Sequence, residues 1–356
     1  MRAFIDKIKI LFLIGVPMSS AHASMSLPLV GTDIAAKWDS LYDFLLILSA
    51  IFFVIVIGGM IVFAIQYRNK PGRKAKFITH NVPLEIMWTL VPTLLLGVIF
   101  VWGYQVYHAM VNAPANAYEI RVIGKQWLWQ FQYDDGRTTV GELFVPVNKP
   151  VKLIMTSDDV LHSFFIPNFR VKQDVVPGMY TSVWFEAKMP GRHQIYCAEY
   201  CGTSHAGMLA QVVALNESDW TSFVRGKKLA AASFPAAGGE NAGVAGALAP
   251  LAPAGSFAKM TWVEQGKALS ESKGCVACHT VDGIAKIGPS YKGLFGSKGE
   301  FVDGSTAVKD ENYIRTSIEN PQAKVLKGFN PIMPTFKGLL STEEINALVA
   351  YIKSLK

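Results

Sequence analysis

The sequence predicts a membrane protein of several domains: a hairpin of two transmembrane helices, an all-β domain and a small all-α domain. Three observations carry this. Two runs free of charged residues, Phe44 to Ile65 and Ile86 to Val106, each match the roughly 20 residues that cross hydrocarbon. From Tyr118 to Leu215 short apolar runs alternate with turn residues, which favours an antiparallel sandwich or barrel. Beyond an Ala, Gly and Pro-rich stretch, apolar residues recur at helical spacing.

The first residues have a basic start (Arg2, Lys7, Lys9), an apolar stretch from Ile10 to Val16 and small residues around Ala21-His22-Ala23. This pattern predicts a signal peptide over residues 1–23, cleaved near Ser24. The two helices are expected at about 42–66 and 85–108. Their connection carries Arg68, Lys70, Arg73, Lys74 and Lys76 and no acid, so it faces the cytoplasm and everything after about Asn112 lies outside. Trp88, Trp102, Tyr104 and Tyr107 fall towards the ends of the second span, as interfacial aromatics do. Glu85 at the cytoplasmic edge reads, by itself, as a carboxylate snorkelling at a helix end.

Composition agrees with this layout. In 356 residues, 51% are hydrophobic and only 17% charged, a balance that fits membrane spans better than an oversized core. The net charge of +7 is dispersed: residues 1–111 hold nine basic and five acidic residues and residues 112–228 are nearly balanced. A scattered, membrane-weighted excess argues against a nucleic-acid partner.

Strands are expected at Glu119 to Ile123, Trp127 to Tyr133, Val151 to Thr156, Thr181 to Phe185 and Leu209 to Val213, within a domain over 112–228. Residues 229–258 read as a linker, with Ala236-Ala237-Gly238-Gly239 and Ala242 to Ala254 lacking bulky periodic residues. Helices are expected at Trp262 to Lys273, Glu311 to Glu319 and Thr342 to Leu355, within a domain over 259–356. Its lysines, Lys273, Lys286, Lys292 and Lys327, read as solvated surface charge.

The four cysteines form two close pairs, Cys197 with Cys201 and Cys275 with Cys278, each followed by a histidine. That arrangement points to metal and cofactor ligation before a disulfide framework. The run Cys197-Ala198-Glu199-Tyr200-Cys201-Gly202-Thr203-Ser204-His205-Ala206-Gly207-Met208 offers two thiolates, an imidazole and a thioether within twelve residues. Such a soft set suits copper; iron-sulfur and zinc remain conceivable from the donors alone, and Met208 tips the choice to copper. A single blue copper needs one cysteine, so the second suggests two metals bridged by sulfur. His162, in Asp158-Asp159-Val160-Leu161-His162-Ser163-Phe164, is the candidate for the further imidazole.

At this point the sequence closely resembles subunit II of cytochrome c oxidases, through the Cys-x-Glu-x-Cys-Gly-x-x-His-x-x-Met loop, Val160-Leu161-His162-Ser163, Lys172-Gln173-Asp174-Val175-Val176-Pro177-Gly178 and Gly124-Lys125-Gln126-Trp127-Leu128-Trp129. The resemblance implies a cupredoxin-like domain with a binuclear CuA centre. Cys197 and Cys201 would bridge the coppers, His162 and His205 would bind one each, Met208 would be a weak ligand, and Glu199 would ligate through its carbonyl. It also implies a magnesium site shared with subunit I through the Glu199 side chain. Trp127, by itself a core aromatic, matches the residue through which electrons come in from a docked cytochrome. Glu85 matches the acid at the mouth of a proton path into subunit I. Lys125 stands where many relatives have histidine, and His193 where an aromatic is common; His193 is read as structural.

Cys275-Val276-Ala277-Cys278-His279 reads as c-type haem attachment, two thioether bonds with His279 as axial ligand, in preference to a redox-active thiol pair. Met333 is the sole methionine after His279, and methionine is a usual second ligand where haem carries electrons. Ile332-Met333-Pro334, Ile287-Gly288-Pro289 and the helix around Tyr351 resemble class I cytochromes c, which implies an all-α cytochrome c domain.

The combined expectation is a multi-pass protein of the bacterial inner membrane with periplasmic copper and haem domains. Electrons would pass from a cytochrome through haem c and CuA to subunit I, where oxygen is reduced to water, with subunits I and III as partners. The alternatives are the equivalent subunit of a CuA-type nitric oxide reductase, a copper-delivery protein, for which a fused haem serves no purpose, and a quinol oxidase subunit, which should lack the copper ligands.

Overall fold

Helix α1 (Asp33–Gln66) begins where the Thr32 side chain accepts the Ala35 N–H at 3.0 Å, and α2 (Val82–Val111) where Asn81 accepts Leu84 N–H at 3.2 Å. Both caps satisfy backbone donors that a helix start leaves without partners. In this computed structural model, which describes residues 27–74, 77, 79–226 and 260–356, the most apolar window of each helix has none of its residues buried. Phe53 and Ile65 are nearly two-thirds exposed. Apolar side chains presented outward on all sides suit lipid. The expected signal segment 1–23 and linker 229–258 lie outside the described residues.

The β domain follows from period-two patterning. Strands β1 (Tyr118–Lys125), β2 (Leu128–Gln132), β3 (Thr138–Val140), β5 (Val151–Ser157) and β8 (Thr181–Phe185) form one sheet in the order β3-β2-β1-β5-β8. Strands β4 (Glu142–Pro146), β6 (His162–Ile166), β7 (Val171–Val175), β9 (Gly191–Cys197) and β10 (Leu209–Leu215) form the other, in the order β4-β10-β9-β6-β7. Burial alternates strictly along β5, with Val151, Leu153, Met155 and Ser157 inward. Trp129, Phe131, Phe164, Leu143 and Ile195 close the core between the sheets.

A purely antiparallel sandwich was the expectation, and the structure departs from it. β1 runs parallel to β5, and β4 parallel to β10. Parallel neighbours need a long crossover, and β2 to β4 supply one: the chain leaves the first sheet through β4 and returns as β5 beside β1. After β10, helix α3 (Glu217–Val224) lays Phe223 against the rings of Tyr133 and Phe144, with centroids 5.2 and 4.8 Å away.

The hairpin and sandwich are joined by polar contacts. Arg170 grips the Asp39 carboxylate with two N–H groups at 2.8 and 2.9 Å and donates to Pro28 O; Trp184 Nε1 donates to Ala109 O at 3.2 Å.

In the C-terminal domain, α4 (Trp262–Ser272) packs on α6 (Thr342–Ser354), and α5 (Glu311–Glu319) and α6 line a cavity, with a small ribbon of β11 (Lys298–Glu300) and β12 (Thr306–Val308) beside them. Reciprocal caps, Thr261 with Glu264 and Ser341 with Glu344, start α4 and α6. These two helices cross closely at Gly266, where a Cβ would stand 2.0 Å from Ala347 O.

Candidate functional site

Strand β9 ends at Cys197 and β10 starts after Met208, so the intervening loop lies at one end of the sandwich, beside β6 and its first residue His162. There the predicted donors converge. Cys197 Sγ is 3.7 Å from Cys201 Sγ, 3.9 Å from His162 Nδ1 and 3.3 Å from Glu199 O. Cys201 Sγ is 3.5 Å from His205 Nδ1 and 3.8 Å from Met208 Sδ. His162, Met208 and both cysteines are buried.

The donor set fits a soft metal pair. Burial raises the Cys197 thiol, but hydrogen bonds from His162 and neighbouring backbone outweigh it and leave Cys197 below the usual thiol range. Burial and the adjacent Cys197 push Cys201 up to about 12. Two thiolates this close repel, and cations between them would relieve that repulsion.

Sequence reasoning missed the group that orients His162. Asp159 Oδ1 lies 2.8 Å from His162 Nε2, which directs Nδ1 towards the sulfurs; a carboxylate behind a ligating imidazole is a common device for fixing a metal site. Asp159 also accepts the backbone N–H groups of Gln126 and Val160 at 2.7 and 2.6 Å. An acid three residues before the candidate histidine was the available signal.

Trp127 is 8% exposed and donates from Nε1 to Cys201 O at 3.2 Å, while Gln126 Nε2 donates to the same oxygen at 2.8 Å. Trp127 is thus in contact with the Cys197 to Met208 loop on one side. On the other it lines the cavity of the C-terminal domain.

That cavity encloses about 1290 Å³ of empty space, its open mouth included, and is predominantly apolar; Cys275, Cys278, His279 and Met333 line it. His279 Nδ1 lies 2.8 Å from Pro289 O, which leaves Nε2 free, and its ring stacks on Tyr291 at 4.8 Å. Burial lowers the His279 pKa, favouring the neutral imidazole that binds iron. Burial lifts Cys275 to about 11, opposite to the activated thiol of a redox Cys-x-x-Cys pair. Two thiols, an imidazole and a thioether lining one predominantly apolar space fit a haem.

Glu85, at the start of α2, accepts the Asn81 N–H at 3.0 Å. His193 is buried against Phe169, with ring centroids 4.7 Å apart, and takes no part in the donor cluster. Lys125 pairs with Asp158 at 2.8 Å. One expectation is overturned. Lys273 is not solvated: it is 9% exposed, and its Nζ lies 3.1 Å from Glu142 Oε2, across the boundary with the β domain. Burial disfavours its charge, but Glu142 more than restores it.

Comparison with known proteins accounts for most of the chain. Residues 20–106 match the family profile described as cytochrome C oxidase subunit II, transmembrane domain, residues 138–215 the periplasmic domain of the same subunit, and residues 263–356 cytochrome c. The cytochrome c oxidase subunit 2 of Alkalihalophilus pseudofirmus is 33% identical over 337 residues, covering 90% of this chain and 88% of that one. The chain belongs to the cytochrome c oxidase subunit II family. An alternative cytochrome c oxidase subunit 2 of Bradyrhizobium diazoefficiens is 31% identical, covering 65% of this chain and 95% of that protein. The crystal structure of the periplasmic domain of subunit II of cytochrome oxidase (CoxB) of Bradyrhizobium japonicum is 30% identical, covers 32% of this chain and 96% of that one, and has a TM-score of 0.31. As a cytochrome c oxidase subunit II with a cytochrome c domain, the chain is part of an oxidoreductase complex, and its two extramembrane domains imply copper and haem.

Proposed function

We propose that this chain is the electron-input subunit of a respiratory haem-copper oxidase in the bacterial inner membrane, with its copper and haem domains in the periplasm. Electrons would come from a cytochrome c-type donor, pass through the chain, and reach subunit I, where oxygen is reduced to water; subunit III completes the assembly. The observation that carries this reading is Trp127, which lines the haem cavity and donates a hydrogen bond to Cys201 O within the copper loop.

When bound, haem and the copper pair each take up and release one electron at a time. Cys275 and Cys278 would hold the haem covalently, and His279 and Met333 would supply the donors to its iron. His162, Cys197, Glu199 O, Cys201, His205 and Met208 would hold the coppers. The Cys201 carbonyl receives both Trp127 Nε1 and Gln126 Nε2, and Trp127 in turn lines the cavity. The Trp127 bond holds the indole against the loop, and a rigid contact of this kind would keep its geometry through each transfer. The Glu199 carboxylate, two residues from each cysteine, would face a magnesium shared with subunit I. Glu85, held at the membrane edge by Asn81, would sit at the mouth of the proton path.

Turnover of the purified complex tests the reading. Oxygen consumption with reduced cytochrome c, together with two coppers and one covalent haem per chain, is expected. Reduction of nitric oxide in place of oxygen would instead identify the equivalent subunit of a CuA-type nitric oxide reductase.

A further inference from the structure

The β domain and the C-terminal domain do not merely follow each other in sequence; they share their interior. Leu128 and Val140 of the β domain belong to the apolar core of the C-terminal domain, and Ala277, from the middle of the Cys275 to Cys278 turn, is buried in the core of the β domain. Ser204, next to His205, donates its hydroxyl to Ala277 O, and a Cβ on Gly207 would stand 3.2 Å from Ala277 Cα. Gly141, at φ +75°, lies so close to the end of α4 that a Cβ there would be 2.1 Å from Ser272 O.

Within this seam sits a cluster of charges. Glu142 Oε2 meets Lys273 Nζ at 3.1 Å and Glu142 Oε1 meets Arg192 Nη1 at 3.0 Å, and the same Arg192 Nη1 donates to Gln211 Oε1 at 2.8 Å. The three charged side chains are only 8 to 15% exposed. Exposed ion pairs hold domains weakly and are screened by salt, whereas a buried pair that loses one partner strands a charge. Lys273 immediately precedes Gly274 and the haem-attachment turn, so its ion pair fixes the part of the C-terminal domain that touches the copper loop.

We propose that Glu142, Arg192 and Lys273 are positioning residues that keep the haem-binding domain seated on the copper loop, so that Trp127 is an internal contact and an external donor must dock on the haem-binding domain instead. The inference rests on the function proposed above for that site. Its charge logic is asymmetric. Without Lys273, Glu142 still has Arg192. Without Glu142, two buried cations face each other.

The test uses the assembled full-length complex with a protease site introduced between residues 229 and 258. After cleavage, gel filtration followed by haem absorbance reads whether the haem-bearing fragment stays. The parent chain and Lys273→Arg are expected to retain it. Glu142→Gln should lower retention at least tenfold, Lys273→Met by less, and the double variant Glu142→Gln with Lys273→Met should hold the fragment better than Glu142→Gln alone. The haem-to-copper exchange that follows photoreduction should slow in the same order. Equal retention in all variants, or a double variant worse than Glu142→Gln, overturns the proposal. If Glu142→Gln loses its copper spectrum, Lys273→Met against Lys273→Arg decides, and equal retention in those two overturns it. Absence of haem-to-copper exchange in a parent chain that keeps its fragment would instead sink the proposed function and leave the seating role standing.

Discussion

The two candidate centres solve the problem of holding a redox group in opposite ways. The copper loop gathers its donors from twelve consecutive residues plus His162 and sets each within 3.3 to 3.9 Å of one of the two cysteine sulfurs, at the end of a sandwich whose core is filled by Trp129, Phe131 and Phe164. The haem cavity takes its lining from residues spread between Lys273 and Ile352, with Gln126, Trp127 and Leu128 of the β domain at one side. A metal held at the rim of a finished core is an addition to the fold. A haem held in the middle of one is part of the core, so folding of that domain is coupled to cofactor attachment.

The sharpest way to break this contrast is to block each attachment in turn. A haem that fails to attach leaves the apolar space between α5 and α6 without its filling, and lost core contacts weigh heavily on a domain of ordinary stability. Replacing Cys275 and Cys278 together by serine should therefore abolish covalent haem and the cooperative melting of the C-terminal helices. Cys201→Ser should remove the copper spectrum while the β domain still melts cooperatively, within about 3 kcal/mol of the parent. Circular dichroism melts of both variants decide; a β domain that unfolds with loss of Cys201 would erase the distinction.

The same contrast explains what could be read from the sequence. The Cys275 to His279 run stood out as a candidate because haem attachment demands fixed spacing, and the cluster of donors around Cys197 and Cys201 was legible because one short run supplies most of it. Lys273 was not, since its partner Glu142 lies 131 positions away and nothing local marks a lysine as buried. Among the strands of the sandwich, the three-residue β3 was too short to show a pattern, and β4, β7 and β9 escaped for a reason related to that of Lys273. β9 turns His193 and Cys197 inward, β7 has only Val171 and Val175 inward around Lys172-Gln173-Asp174, and β4 begins with the ion-paired Glu142 and ends at Pro146. Inward polar residues hide the period of two that marks a half-buried strand. Parallel pairing of β1 with β5 was invisible because it depends on the path of the whole chain.

A second, smaller effect separates attachment from ligation inside the haem domain. Met333 lines the cavity that Cys275 and Cys278 also face, but it forms no covalent tie. Met333→Ala should keep haem attached and the domain folded while lowering the haem potential by more than about 60 mV, a tenfold shift in a one-electron equilibrium. Potentiometric titration reads this directly. An unchanged potential would remove Met333 from the axial position and make it a packing residue.

A third effect, of the same order, probes how finished the copper rim is without its outer partner. Asp159 touches no sulfur, yet it joins His162 Nε2 to the backbone of Gln126, the residue before Trp127. Losing a partner of this kind commonly weakens metal binding about 10- to 100-fold. Asp159→Asn keeps an oxygen that can still accept from the imidazole but loses the charge, and should fall near the lower limit; Asp159→Ala loses both and should fall near the upper. Copper competition with a chelator measures the affinity, and tryptophan fluorescence alongside it reports whether the Gln126 to Trp127 segment has loosened. If neither variant changes copper affinity, the rim is held by its own backbone, and the orienting role of Asp159 is wrong. If Asp159→Ala weakens copper and also slows haem-to-copper exchange out of proportion to the copper lost, one carboxylate sets both the ligand and the indole beside it, and the two centres are coupled through the first turn of the loop that holds it.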